Sequence, residues 1–541
     1  MNRQMIRIVG MGVLILTAAT AIAAPKKPEP PPPPPTNNPV ARYSIPWTEQ
    51  AKWAQLVVIT NYSGKSWDEK FEAAQADIVK KGGGVVYFPV GVYEFGDTIK
   101  LESHVIIRGA TPKGIRTARD GEFKPPARFD FPKFEPNCKG KGTPKDSAFK
   151  GIELKEPNET THCGVVNIDL RHGHIRFGCD VYQGAQFKEN FKTYGRNHIV
   201  YGCRLTHAAI LDPRLPKEWQ EPWQRWTHRH NAAIDIRAAE NVLVANNSIP
   251  ESGYHDKPND FPMPGFKIQS GGKVVTRDDI VFRYDNRPGI YVNYGGVSGT
   301  PETRPECFAP GIDIRENYIY CYGCLAIGFS GNGTYCGSNR IRYDPKSYLP
   351  VFNGETDSHF TNNNRAIEAR GWRWTMAHND YEVYSNTQYT GQFDGHYGDN
   401  EGLMHESHDN VSIKDSKLLY NVGNRYLCMW RVPVDGLEIR GNIVRTARRS
   451  QAGGQAAITV MGRQHRGAKK PLSIKNLQII DNITDGTGIH VRGINDGNIV
   501  IKGNRHAGPE PGSLSVSMVN CDDVTVGDNA NYTVTRTEHK N

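Results

Sequence analysis

Apolar residues recur at every second position in short runs along this chain, as in Val85-Val-Tyr-Phe88, Ile99-Lys-Leu101 and His104-Val-Ile-Ile-Arg-Gly109. Asn197-His-Ile-Val-Tyr-Gly202, Asn241-Val-Leu-Val-Ala-Asn246, Gly311-Ile-Asp-Ile-Arg-Glu-Asn317, Asp435-Gly-Leu-Glu-Ile-Arg-Gly-Asn442 and Lys475-Asn-Leu-Gln-Ile-Ile-Asp-Asn482 follow the same grammar. A turn residue opens each run, alternating apolar positions follow, and Asn, Asp or Gly usually closes it. Period two marks a strand with one buried face. Asn442, Asn482, Asn504 and Asn529 are spaced by 40, 22 and 25 residues. That spacing is a unit of about 20 to 30 residues lengthened by insertions, which is the mark of a solenoid. The expectation is an all-β chain wound as a parallel β-helix, with each coil pairing on the one before and the recurrent asparagines stacked in a ladder.

An open sheet end invites association unless it is covered. The run Ser66-Trp-Asp-Glu-Lys-Phe-Glu-Ala-Ala-Gln-Ala-Asp-Ile-Val-Lys80 predicts the cover. Ser66 suits an N-cap, Trp67, Phe71, Ala74 and Ile78 share one helical face, and Lys80, Lys81 and Gly82 end the helix.

From this helix into Gly82-Gly-Gly-Val-Val-Tyr-Phe-Pro-Val-Gly-Val-Tyr93, Ile99-Lys-Leu101 and Val105-Ile-Ile-Arg-Gly109, the chain resembles the first coil of the pectate-lyase-like right-handed β-helix superfamily, especially its pectate lyase/rhamnogalacturonase-like branch. The likeness is tight over roughly residues 60 to 110 and general in coil grammar thereafter. It implies a right-handed helix with long insertions forming a groove, and an enzyme of polysaccharide breakdown. Because the scaffold carries lyases, hydrolases, epimerases and adhesins alike, it does not fix the chemistry. The paired-aspartate and His-Gly motifs of the polygalacturonases are not found along the chain.

Residues 1–24, with Arg3 and Arg7 ahead of Ile8-Val-Gly-Met-Gly-Val-Leu-Ile-Leu16 and small residues closing at Ala24, read as a secretory signal peptide. The expected location is therefore secreted or periplasmic. The proline-rich residues 25–44 read as a stiff tether, and 45–541 as a single β-helix domain. No later segment holds enough apolar residues to insert in a membrane. The formal charge of +9 suits an anionic partner. Much of it sits between Lys113 and Lys150, with ten Lys and Arg against five Asp and Glu. That loop is read either as solvated or as a wall attracting an acidic polymer. Ten cysteines, with Cys307, Cys321, Cys324 and Cys336 close together, imply local disulfides or buried thiols ahead of zinc or redox chemistry.

Candidate chemistry gathers late in the chain. Arg370-Gly-Trp-Arg-Trp-Thr-Met-Ala-His-Asn379 is read with Trp372 and Trp374 on one strand face, where they could stack on sugar rings, and Arg373 on the other. Arg370 and Arg373 suit uronate carboxylates. Residues 394 to 409 hold Asp394, His396, Asp399, Glu401, His405, Glu406, His408 and Asp409. Hydrolysis would need two of the carboxylates flanking one bond. β-Elimination would need a cation or amide on the uronate, with Asp394, Asp399 or Glu401 as Ca²⁺ ligands, and a base such as Arg373, His405 or His396. The catalytic set is Arg373, Asp394, Asp399, Glu401 and His405. The binding set is Arg370, Trp372, Trp374 and the polar turn His228, Arg229 and His230. The expected partner is a polysaccharide, with nucleic acid excluded and a monomer expected. The rival reading is a non-catalytic β-helix adhesin.

Overall fold

Alternation along the sequence becomes three flat walls around one apolar interior. This computed structural model describes residues 33–113, 117–120, 123–132, 150–157, 159–178, 195–206, 232–252, 267–270, 273–276, 289–293, 300–321, 325–343, 365–383, 402–406, 412–424, 426–430, 432–445, 456–461, 472–486 and 488–539. Each turn of the chain lays one strand in wall A, one in wall B and one in wall C. One turn is Leu325–Asn332, Tyr335–Gly337 and Arg340–Tyr343, and the next is Arg365–Trp372, Thr375–Ala377 and Asp380–Val383. The two turns pair in parallel in every wall, Ile327 with Ile367, Cys336 with Met376, and Ile341 with Tyr381. The fold is a right-handed parallel β-helix, the hand that parallel crossovers strongly prefer.

Register explains the interior. In wall A, Ile99, Ile152, Ile175, Ile234, Ile290, Ile327 and Ile367 stand directly over one another, and all are buried. Wall B does the same with Val57, Val86, Ile107, Val165, Val200, Val244 and Ile314. Each such side chain contributes about 1.5–3 kcal/mol by leaving water. A slip of one residue would turn every one of them outward.

The corner from wall B to wall C carries the asparagine ladder. From Tyr201 onward it holds two residues in each turn, of which the second in most turns is asparagine. Asn247, Asn317, Asn339, Asn379, Asn421, Asn442, Asn482 and Asn504 each donate Nδ2 to Oδ1 of the next rung at 2.9–3.0 Å, ending at Asn529. The same Oδ1 accepts the backbone N–H of the rung before it, as from Asn339 to Asn379 at 3.1 Å. The residue ahead of each rung lies in the left-handed region, with φ of 57° at Glu316, 55° at Ser338, 58° at His378 and 54° at Tyr420. That bend points the amide inward.

The helix α1 (Trp67–Lys80) closes the first coil. Ser66 Oγ accepts the N–H of Glu69 at 3.2 Å, and Phe71, Ala74 and Ile78 join the core. Gly82, with φ of 83°, turns the chain out of the helix.

The stretch from Asn37, assigned to the tether on composition, packs on the outer face of wall B. Val40 and Trp53 are buried there with Val85, Ile106, Ile199 and Leu243, in a second apolar cluster outside the prism. Beneath this strap Arg108 donates to the carbonyl of Asn37 at 2.7 Å. Burial lowers its guanidinium to a pKa of about 10.

Residues 117–120 of the basic loop sit at the B–C corner, ahead of the wall C strand Ala127–Asp130. Ala118 is buried and donates its N–H to Asn246 Oδ1 at 2.6 Å. Cys163, Cys203, Cys336 and Cys521 are free thiols. No helix among the described residues is long and apolar enough to cross a membrane.

Asn379→Ala removes the acceptor for two N–H groups and takes the Nδ2 donor away from the Cys336 carbonyl and from Asn421 Oδ1, which keeps only the backbone N–H of residue 379. It is expected to cost about 2–4 kcal/mol in urea unfolding followed by circular dichroism. Asn529→Ala, at the last rung, should cost less than half of that.

Candidate functional site

On a solenoid the inward positions are filled by core, so chemistry must use outward side chains. The B–C corner is tight from Tyr201 onward. From there the long departures from the repeat fall at the two edges of wall A: residues 207–233, 253–289, 344–364 and 384–401 enter it from wall C, and 293–311 leave it toward wall B. Wall A is thus the wall bordered by insertions on both sides.

Its outer face carries Lys100, Glu153, Arg176, Asp235, Tyr291, Gly328 and Glu368 in one register column. Two residues along each strand stand Arg237, Asn293, Ser330 and Arg370. Outward charged groups ordinarily stay wet, yet Asp235, Arg237 and Tyr291 are 1% exposed, Glu368 0% and Arg370 3%. Arg237 holds Asp235 in a fork, Nε to Oδ1 at 2.6 Å and Nη2 to Oδ2 at 2.7 Å. Arg370 holds Glu368, with Nη2 and Nε at 2.9 and 3.3 Å from Oε1.

The local cause is strand periodicity: an acid at i and an arginine at i+2 share one face. The same pairing recurs on wall B as Asp313–Arg315 and Glu438–Arg440, where the arginine side chains are 25% and 31% exposed. Spacing alone therefore does not mark a site. Shielding from water does, because charge interactions strengthen sharply there.

Near the start of the column Glu153 meets Lys100 and lies 3.1 Å from His174. Burial would raise its pKa, but the bonds to His174 and Lys100 outweigh burial and hold the carboxyl at about 2.

Arg370, expected to bind a uronate, is the buried partner of Glu368. Arg373 is not a strand residue: its φ of 57° makes it the corner between walls A and B, and its Nε donates to Asn332 Oδ1 at 3.0 Å. That corner overturns the expectation of Trp372 and Trp374 on one face. Trp372 stays outside, donating to Ser412 Oγ at 3.1 Å with Lys414 over its ring, while Trp374 turns into the core. Trp374 is thus a packing residue.

His405 lies in the wall A strand Gly402–Glu406. Ile367 pairs with Met404, so one position further on residue 405 stands opposite Glu368. Asp394, Asp399 and Glu401, with the Ca²⁺ role considered for them, lie outside the described residues, as do His228, Arg229 and His230. Among the described residues no group of three or more His, Cys, Asp or Glu is arranged to hold a metal. Asp235, Arg237, Tyr291 and Glu368 were not singled out from sequence. The available signal was a charged pair spaced i, i+2 between core isoleucine and alanine positions, in Ala233-Ile-Asp-Ile-Arg237 and Ala366-Ile-Glu-Ala-Arg370.

No family model matches the chain, and no curated protein matches it. Among solved structures it is similar to the PfbA surface adhesin of Streptococcus pneumoniae, at 11% identity over 88% of this chain and 99% of that one, with a TM-score of 0.45. It is also similar to the tailspike protein of the E. coli bacteriophage HK620 (9%, 89% and 78%, TM-score 0.36). A third is the A-module of the Azotobacter vinelandii mannuronan C-5 epimerase AlgE6 (10%, 90% and 99%, TM-score 0.27). At these TM-scores the likenesses assign no activity, and the fold rests on the strand pairing above.

Two outcomes are expected. Trp374→Ala should cost about 3–5 kcal/mol in chemical unfolding, as for a large core side chain, and Trp372→Ala less than half of that. A carboxyl with a depressed folded-state pKa lends stability above its unfolded value, near 4.3, and loses it as pH falls toward about 2. Glu153→Gln should therefore flatten the stability profile between roughly pH 4.5 and 2, read by thermal melts across that range.

Proposed function

We propose that the protein is an exported enzyme that cleaves an acidic polysaccharide by β-elimination on the outer face of wall A. The observation that carries this reading is the water-shielded set Asp235–Arg237, Tyr291 and Glu368–Arg370 on the wall bordered by insertions. Elimination needs positive charge to stabilise the carbanion formed beside a carboxylate, and a base to take the proton. Arg370 and Arg237 supply fixed cations, each oriented by its own acid. His405, opposite Glu368 in register, is the base in this reading. The leader at residues 1–24 supports export, and the net charge of +9 supports an anionic polymer.

Spacing favours elimination over hydrolysis for the described carboxylates. Asp235 and Glu368 are three strand steps apart, with Tyr291 and Gly328 between them. At about 4.8 Å per step that is roughly 14 Å, beyond the roughly 5–9.5 Å that paired glycosidase carboxylates require. Glu153 lies nearer to Asp235, but an acid held at about 2 carries no proton to donate at neutral pH.

The test is incubation with a panel of uronate-containing polymers while following the ultraviolet absorbance of an unsaturated product. The reading expects that absorbance to rise, and to fall by about 10²-fold or more in His405→Ala and in Arg370→Lys, with both variants checked for folding by circular dichroism. New reducing ends without the absorbance would mean hydrolysis. Saccharide binding with neither product would mean an adhesin.

A further inference from the structure

At the C-terminal turns the loops from wall C to wall A are short, and Asp485, Gly486 and Gly488 together with Gly508–Gly512 border a half-open cavity of about 400 Å³. Its lining includes the acids Asp485 and Glu510, the prolines Pro509 and Pro511, and the histidines His490 and His506. His490 lies in the same outer column of wall A as Thr459 and Ser515. From Glu368 the column reaches His490 in four strand steps, about 19 Å away, so the cavity is separate from the shielded pairs described above.

His506 is the unusual member. It is 6% exposed, and neither ring nitrogen has a hydrogen-bond partner. Leaving a buried polar group unpaired is unfavourable, yet the loop is shaped to keep the ring there. A Cβ on Gly508 would come within 2.6 Å of the ring and one on Gly512 within 2.5 Å, so only glycine fits at both. The sequence between them, Pro509-Glu-Pro511, restricts the backbone on either side of Glu510. Among the described residues no Lys or Arg lines the cavity. Burial, with Arg492 adding to it, lowers the pKa of His490 and so favours its neutral form.

We propose that this cavity binds one residue of an amino sugar, with the ammonium group on Asp485 and Glu510, the C–H face of the ring on Pro509 and Pro511, and hydroxyl groups on the two imidazoles. Its size falls at the small end of ligand pockets, about 300–1,000 Å³. The paired carboxylates disfavour a uronate, so the cavity and the shielded face of wall A select opposite charges. The protein would then hold two different sugars of a mixed polymer along a single wall.

Isothermal titration of the full chain with the β-1,4 trimer of glucosamine, the corresponding neutral glucose trimer, trigalacturonate and spermidine tests this. The glucosamine trimer is expected to bind at least tenfold more tightly than the glucose trimer. Glu510→Gln and Asp485→Asn are each expected to weaken it about tenfold, as for loss of one charge-assisted bond, and to leave any trigalacturonate binding unchanged. Glu510 is exposed, so its substitution leaves the fold intact. Failure of the glucosamine trimer to bind, or binding that neither variant changes, overturns the assignment. Equal affinity for spermidine would show that charge alone is recognised and would overturn the sugar. Each outcome is independent of whether wall A carries out elimination.

Discussion

In-register stacking of successive turns is the constraint on which the rest depends. A parallel strand offers all of its backbone groups to the turns above and below, so every turn must present the same corner at the same place. The buried asparagine amide meets that demand. One side chain satisfies the neighbouring amide, the neighbouring backbone N–H and a carbonyl, at each rung from Asn247 to Asn504. Once that corner is fixed, the isoleucine and valine columns follow, because strand length and alternation leave them no other face.

The same constraint decides where variation is tolerated. An insertion at the B–C corner would break the ladder, and from Tyr201 onward none occurs there. The edges of wall A carry no such ladder and accept long segments. Two charged pairs on that wall, Glu368–Arg370 and Asp235–Arg237, are withdrawn from water. Buried ion pairs contribute little net stability and can cost some. Their presence on one wall, with wetter counterparts on another, is most simply understood as a requirement of binding or chemistry.

Much of this architecture was legible in the sequence. Period-two runs closed by asparagine gave the coils, and the late spacing from Asn442 to Asn529 gave the ladder that extends back to Asn247. Ser66 and the apolar stripe gave the capping helix. The site was less legible, because one strand pattern does not distinguish an outward charge that is wet from one that is shielded. Arg315 and Arg370 look alike in sequence and differ only in what surrounds them. The tryptophans misled for a local reason: Arg373 adopts a left-handed corner that reverses the facing of Trp374, and arginine, unlike glycine, gives no warning of it. The strap over wall B was hidden by the prolines before it, which made Val40 look like part of a tether.

The most direct measurement is a crystal structure of the protein with a uronate oligosaccharide bound. The account predicts turns in register, with Ile327 beside Ile367 and Asn379 between Asn339 and Asn421, and the sugar lying across wall A with its carboxylate at Arg370 or Arg237. A sugar seated on wall B or wall C, or turns stacked out of that register, would contradict it.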